Sequence, residues 1–481
     1  MGASVFHLAA AEPIRLHPRN PHYFLFRGKA IALVSSGEHY GSVINGAVDY
    51  KRYLAALASD GMNYTRVFGG TYVEIPAQSF GIHRNNLAPA PGRFIAPWAR
   101  SDTPGYAGGG NKFDLDRWNP EYFERLHDFL AEASRLGIVV EVTLFSSHYV
   151  EAHWLLSPFH PDNNVNATSS IDWRKLHTLD NGNILGRQEQ YTRKLVREAN
   201  EFDNVIFEIQ NEPWSDRTVL AGVVNPYLAL PDRERYPNSI DVADEASMAW
   251  QAHVAKWITS EEAALPHKHL IAQNYCNFGF PVRAVAPGVS VVNFHYAYPA
   301  AAEWNYGLGA ALSCDETGFR GREDDFYRRE AWNFLLAGGS VFDNLDYSFT
   351  AGHEDGSDVE ANGPGGGSPQ LRHQLGVLSG FLRSLPLADL RPDRGVVRHA
   401  AGLYARVLSA PGSVYAAYLD GAGPAVIRLD LPAGAYNGDW IDIETGRVAK
   451  TEKLRHRGGA LTLRTPAFQD GIALRLNRAA N

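Results

Sequence analysis

The sequence predicts an α/β protein, a (β/α)8 barrel of the TIM type with a small C-terminal antiparallel β-sandwich domain. Three observations carry this. Short apolar runs rich in Val and Ile alternate with amphipathic stretches from about residue 31 to residue 388, as parallel strands covered on both faces by helices require. The segment after the first such run reads SSGEHYGS. It lacks the G-x-G-x-x-G turn that an open doubly wound sheet would carry there. Beyond residue 389 the pattern changes to short alternating runs split by Gly, Pro and Asp, which is sandwich patterning.

In chain order, residues 1–30 read as an N-terminal hairpin turning at Arg27-Gly28-Lys29, placed to close the barrel bottom or to join the sandwich. Residues 31–388 form the barrel. Its first strand is Ile31 to Val34. Asp49 caps a helix whose apolar side carries Tyr50, Tyr53, Leu54 and Leu57, and Gly61 ends it. Tyr64 to Phe68 is the second strand, and a Gly/Pro/Asn-rich excursion fills 69–118. A helix with Phe123, Leu126, Leu130 and Ala133 in register stops at Gly137. Ile138 to Phe145 is the third strand, 187–201 a helix, and Val205 to Ile209 the fourth strand. A helix over 244–263 leads to strands at Leu270–Ala272, Val291–Phe294, Ala311–Cys314 and Ser340–Phe342. The helices after the fifth and sixth strands are short or irregular. Helices near 323–337 and 369–385 follow the last two strands. Residues 352–368 read as a solvated loop, or as a lid, because loops after strands lie on the catalytic face. Residues 389–481 are the sandwich, with runs VVRHA, LYARVL, SVYAAYL, AVIRLDL, DWIDI, ALTLR and IALRL.

Composition narrows the function classes. The 481 residues carry 45 Lys and Arg against 53 Asp and Glu, a formal charge of −8 with no basic run. That argues against nucleic acid or an anionic membrane surface as partner. No apolar stretch reaches the roughly 18 residues of a membrane span. The opening MGASVFHLAAAEPIRLHP has no basic n-region. The compartment stays open: secreted or periplasmic if a signal peptide was trimmed, otherwise cytoplasmic. Cys276, just past the fifth strand, and Cys314, inside the seventh, lie in separate barrel segments and are expected to be free, buried thiols. No Gly-rich phosphate motif and no Cys/His set appears, so no cofactor and no metal is expected. Oligomeric state is unknown.

Two strand ends carry chemistry. In NVIFEIQNEPW (204–214) an apolar strand ends in Gln210, Asn211 and Glu212, then Pro213 and Trp214; in ALSCDETGF (311–319) another ends in Asp315 and Glu316. Polar residues at the C-terminal ends of barrel strands lie where barrel enzymes keep their catalytic groups. Two carboxylates at one mouth are what glycosidic cleavage needs, one to protonate the leaving oxygen and one to attack the anomeric carbon or activate water.

On these motifs the chain resembles the retaining glycoside hydrolases of clan A, which include the family 5 cellulases and mannanases. The resemblance covers roughly residues 25–385. In that clan the acid/base Glu follows an Asn at the end of strand four and the nucleophile ends strand seven. Asn211-Glu212 and Glu316 match, 104 residues apart. Arg66 in YTRVF matches the clan's strand-two Arg, and can hold Glu316 ionised. Asn211 would donate to the sugar 2-hydroxyl. Tyr296 would donate to the nucleophile, with Tyr298 as its alternate. His148 after strand three and His295 after strand six are candidate sugar ligands or positioning groups. Glu38, His39 and Tyr40 after strand one could meet sugar hydroxyls, and Trp214 and Trp304 are candidate stacking platforms. The resemblance implies a glycoside, oligosaccharide or polysaccharide substrate, β-linked and cleaved by double displacement. The chain departs from the family pattern in two places: strand eight, VFDNLDYSF, lacks an evident Trp, and His295 is followed directly by Tyr296. The C-terminal GDWIDIETGRV region resembles sandwiches appended to cellulase-like proteins. Two other readings remain: a catalytically inactive carbohydrate-binding barrel, and a metal-dependent barrel hydrolase. The second would need His-x-His after strand one, where only His39 stands.

Overall fold

The structure is a computed structural model describing residues 12–222, 239–360 and 362–479. The first eleven residues, part of the N-terminal segment read above, lie outside the described residues. Eight parallel strands form the barrel, numbered here β1 (Leu33–Gly37), β2 (Tyr64–Phe68), β3 (Val139–Ser146), β4 (Val205–Asn211), β5 (Leu270–Asn277), β6 (Val289–His295), β7 (Ala311–Glu316) and β8 (Val341–Leu345). Their hydrogen-bonded order runs from β2 through β3, β4, β5, β6 and β7 to β8 and β1. Across the remaining seam Asn63 stitches β1 to β2. Val34 N–H donates to its side-chain oxygen at 2.8 Å and Asn63 N–H donates to Val34 O at 3.2 Å.

The local signals explain the helices. Asp49 accepts from Lys51 and Arg52 N–H at the start of helix Tyr50–Ser59. Gly137 closes helix Pro120–Leu136 with φ 76°, a conformation that costs other residues a Cβ clash.

The first barrel strand begins later than the sequence reading placed it. Lys29–Ile31 pairs instead with Phe24–Phe26 in a three-stranded sheet. That sheet covers the barrel floor. Ile14, Phe24 and Phe26 pack on Leu33, Tyr64, Val139, Ile206, Leu270, Val291, Ala311 and Val341, residues at or near the N-terminal ends of the strands. The opposite, C-terminal end is left for the site. The excursion after β2 is more ordered than expected and contains a hairpin, Trp98–Pro104 with Asn111–Trp118. The loop after β4 carries another, Thr218–Gly222 with Ser239–Ala243. No helix separates β5 from β6, and only Pro299–Asn305 follows β6.

The 352–368 segment is neither simply solvated nor a lid. Glu354, Asp358 and Asn362 are buried. Asp358 accepts from Thr350 at 2.8 Å and pairs with Arg84 at 2.6 Å, and Asn362 O accepts from His83 N–H at 2.7 Å. The segment therefore braces the excursion after β2.

The C-terminal region pairs a six-stranded sheet with a three-stranded one. Trp440, Leu419, Ile427, Leu429, Leu474 and Leu476 form its core. The reading above missed its strand Val448–His456. That strand is an edge, paired only with Gly434–Asp442 and largely exposed, so it lacks the apolar alternation that marks interior strands.

Candidate active site

A 580 Å³ cavity opens at the C-terminal end of the barrel. Asn211, Glu212, Tyr296 and Glu316 line it, with His39, Tyr40, Phe68, Tyr149 and Phe319, and with Glu74, Phe80 and Leu87 from the excursion after β2. Ten described non-glycine residues have positive φ. Six of them line this cavity: Tyr40, Phe80, Tyr149, Glu212, Phe278 and Tyr296. Left-handed backbone costs a non-glycine residue about 1–3 kcal/mol and collects where side chains must be aimed.

Glu316 is held from four sides. Tyr40 Oη donates to its Oε2 at 2.8 Å, Tyr296 Oη to its Oε1 at 2.8 Å, and Arg66 Nη1 to Oε2 at 3.2 Å. His295 Nδ1 lies 3.3 Å from Oε1. Burial works to raise the Glu316 pKa, but the His295 charge, Arg66 and the Tyr296 hydroxyl outweigh it and hold the carboxyl well below its ordinary range. Burial first, and then the charge on Glu316, push Tyr40 and Tyr296 well above the ordinary phenol value, so both remain donors.

Glu212 ends β4 in the left-handed region, φ 47° and ψ 54°. Its N–H donates to Asn274 Oδ1 at 3.3 Å and its carbonyl accepts from Ser147 Oγ at 2.6 Å. Its Oε1 lies 2.9 Å from His295 Nδ1. Carboxylate oxygens of Glu212 and Glu316 come within 4.8 Å of each other, with the His295 ring beside both. Burial lowers the His295 pKa, but Glu316, Asp315 and Glu212 together carry it well above the usual imidazole value.

Arg66 is wholly buried and its first partner is a residue the sequence reading passed over. Its Nη2 and Nε donate to Glu208 Oε2 at 2.5 and 2.9 Å, and Nη2 also donates to Asn211 Oδ1 at 2.8 Å. Asp315 lies 3.4 Å away. Under the cleft this layer continues: Asn274 donates to Glu208 at 2.6 Å, and Asn293 donates to Glu141 at 2.7 Å and to Asp315 at 3.0 Å. The signal was present. One carboxylate or amide inside each otherwise apolar strand cannot face the surrounding helices, so it must face the barrel interior.

Several expected ligands are elsewhere. Glu38 spends its carboxylate on Gly41 and Ser42 N–H and on Asn86 Nδ2. It fixes the loop that aims Tyr40 and does not reach the cavity. His39 does line the cavity, its Nδ1 3.0 Å from Asn85 Oδ1 and its Nε2 3.6 Å from Glu74. Asn211 lines it too, but its amide donates to Tyr149 Oη at 2.7 Å. Trp214 is buried edge-on against His295, centroids 5.5 Å apart, and offers no stacking face. Tyr298 stacks on Phe278 at 5.3 Å and is 52% exposed beside a neighbouring recess. Tyr296 is thus the donor to Glu316, and Tyr298 is not. Trp304, on Pro299–Asn305, is exposed away from the cavity. His148 is buried behind the wall, against Tyr72, Trp154 and His177. The sequence reading also missed Tyr149, Glu74, Phe80 and Phe319, because they come from loops whose course no local pattern encodes.

No protein-family model matches the chain, and no curated protein matches its sequence. Solved structures do match in fold. One described as a glycoside hydrolase superposes with TM-score 0.64 at 11% identity over 97% of each chain. A glycoside hydrolase family 5 structure from Bacteroides vulgatus ATCC 8482 gives TM-score 0.61 at 12% identity over 97% of this chain and 93% of that one. The chain shares the barrel fold of solved glycoside hydrolases.

Proposed function

We propose that the protein is a retaining glycoside hydrolase that cleaves β-linked O-glycosides by double displacement, with Glu212 as acid/base and Glu316 as nucleophile. The observation that carries this is the pair of carboxylates, oxygens within 4.8 Å at the mouth of the barrel. Retaining enzymes keep their carboxyls about 5–5.5 Å apart, whereas inverting ones leave about 6.5–9.5 Å for a water. The asymmetry of the two environments supports the division of labour. Glu316, ionised by its four partners, attacks the anomeric carbon as the bond to the leaving oxygen breaks. Glu212, 2.9 Å from His295, delivers a proton to that oxygen. Water then attacks the glycosyl ester, giving its proton to Glu212 and releasing Glu316. Phe80, Leu87 and Glu74 narrow the cavity from the excursion side, which favours a short glycoside or a chain end. We also propose the division into 1–30, 31–388 and 389–481, with the last part bracing the barrel. Tyr418 stacks on Trp332 at 5.4 Å and Asp420 accepts from Arg329 at 2.8 Å.

Leaving groups test the assignment. Glu212→Ala should lose most with a sugar leaving group and least with dinitrophenol, which departs unprotonated. It should accumulate glycosyl-enzyme, and azide should restore turnover to give the β-glycosyl azide. Glu316→Ala should be nearly inactive on every substrate, and any azide product should be the opposite anomer. Equal responses of the two variants, or reversed anomers, overturn the assignment.

A further inference from the structure

Three groups of carboxylate and imidazole side chains among the described residues bring potential ligand atoms within 4.8 Å of one another. Glu212, His295 and Glu316 belong to the cleft. Glu141, Glu208 and Asp315 are already engaged by Arg66, Asn274 and Asn293. The third group, His148, His177 and Asp216, lies behind the cleft wall, and nothing derived so far uses it.

Its polar atoms are poorly satisfied. His148 is 1% exposed, and neither ring nitrogen has a hydrogen-bond partner. Two bare imidazole nitrogens in a buried site are costly. His177 Nδ1 faces an acceptor, Asp216 Oδ2, at 2.8 Å and a donor, Gln210 Nε2, at 3.2 Å. One nitrogen cannot satisfy both. If it carries the proton, the amide contact is donor to donor; if it does not, the carboxylate contact is acceptor to acceptor. Gln210 Oε1, buried in the same region, also lacks a partner. A cation bound by the imidazoles and the carboxylate gives one His148 nitrogen a partner and takes the place of the contested proton between His177 and Asp216. Three atoms no more than 4.8 Å apart share a point at most about 2.8 Å from each. A small contraction therefore reaches the ~2.0–2.2 Å of zinc–nitrogen and zinc–oxygen bonds. The His148 and His177 ring centroids lie 5.9 Å apart.

We propose that His148, His177 and Asp216 form a structural binding site for one divalent first-row transition ion, Zn²⁺ or its like. Two imidazoles and one carboxylate suit that class better than Ca²⁺ or Mg²⁺, which prefer all-oxygen sets. No local pattern betrays it, because the ligands are spread over three loop positions. The ion ties the loop after β3 to the loop after β4. Asp216 Oδ1 already accepts from His148 N–H at 2.8 Å, Tyr149 follows directly, and Asp216 stands four residues after Glu212. The site therefore steadies two residues of the cleft without touching substrate.

The test is a cobalt titration of the untagged full-length chain after dialysis against a chelator. Wild type should bind one Co²⁺ per chain with a visible ligand-field band, and zinc should displace it stoichiometrically. His148→Leu and Asp216→Asn should each weaken binding by at least about tenfold. Glu212→Gln and Glu316→Gln should keep the band, which separates this site from the cleft and from the glycosidase reading. The metal-free wild type should melt several degrees lower than the zinc form. Absence of a band and of stoichiometric metal in wild type overturns the proposal whatever the variants do. So does a band that survives both His148→Leu and Asp216→Asn, or one that disappears in Glu316→Gln alone.

Discussion

Arg66→Met removes the one guanidinium in a layer of buried carboxylates, and the structure sets the size of the effect. Arg66 is fully buried and reaches Glu208 at 2.5 Å, Glu316 at 3.2 Å and Asp315 at 3.4 Å. Deleting one partner of a buried charge pair costs about 3–5 kcal/mol, chiefly because the other charge is left unpaired. The sign with pH follows from the same contacts. Burial raises the pKa of Glu208, Glu141 and Asp343 above the ordinary carboxylate value and Arg66 works against that rise, while His295 and Arg66 hold Glu316 well below it. The guanidinium attracts only the ionised carboxylates, so it contributes most at high pH, where the raised carboxyls are charged, and less as they protonate on acidification. The variant forgoes that gain, so its deficit should be largest near pH 7.5 and should shrink toward pH 4.5, where the carboxyls can protonate. Urea unfolding of wild type and variant at several pH values measures this directly. A deficit below about 1 kcal/mol at pH 7.5, or one as large at pH 4.5, would refute the reasoning. Turnover of aryl glycosides should fall as well, because Glu316 loses a donor.

Three other outcomes are expected. Tyr296→Phe removes a hydrogen bond to a charged carboxylate, worth about 1.5–3 kcal/mol. kcat/KM should fall by about 10–150-fold, and the acid limb of the pH–rate profile should move up, since Tyr296 helps keep Glu316 ionised; an unmoved limb rejects that role. Glu330, on helix Asp324–Leu336, has a carboxyl oxygen shut off from solvent and unpartnered. Burial raises its pKa to about 7, so its neutral form contributes stability that is lost as pH rises from about 4.5 through 7. Glu330→Gln should therefore stabilise the protein at pH 8 by up to about 3 kcal/mol, and by little at pH 4.5; equal stability at pH 8 counts against it. Cys276 and Cys314 are both free and buried. A thiol reagent should find none in the native protein and two after denaturation, and a zero count in the denatured, unreduced chain would reveal a disulfide.

What could be read from the sequence divides along a physical line. Parallel strands covered on both faces are apolar over most of their length, so VIFEI and IVVEVTLF mark β4 and β3 within two residues, and the polar residues that end them mark the rim. Glu212, Glu316 and Arg66 were visible because they stand in such strands, where register and direction follow from the backbone. Boundaries failed where partner choice decides. IALV looks like one strand, yet Lys29–Ile31 pairs with Phe24–Phe26, and only the three-dimensional floor sheet explains that. Loop residues were legible only by type and place after a strand, and that reading erred where it counted a residue type without its backbone. Glu38 and Trp214 sit beside the right strands, but Glu38 is bound by its own loop amides and Trp214 is turned under His295.

The interior layer was the larger omission, and it bears on how the cleft works. Glu208, Glu141, Asp315, Asn274 and Asn293 fill the space directly beneath Glu316, where a barrel core ordinarily holds Val, Ile and Leu. Apolar side chains there would pack as well and would spare the desolvation of several carboxylates. What they could not do is fix Arg66, which needs acceptors on the side facing away from Glu316. Glu208 accepts from Nε and Nη2, leaving Nη1 to point at Glu316. The orientation of one guanidinium thus depends on a carboxylate that never meets the cavity. The same logic explains why Glu208 stands four residues before Glu212: one stretch of chain carries both the anchor of the arginine below and the cleft carboxyl above it.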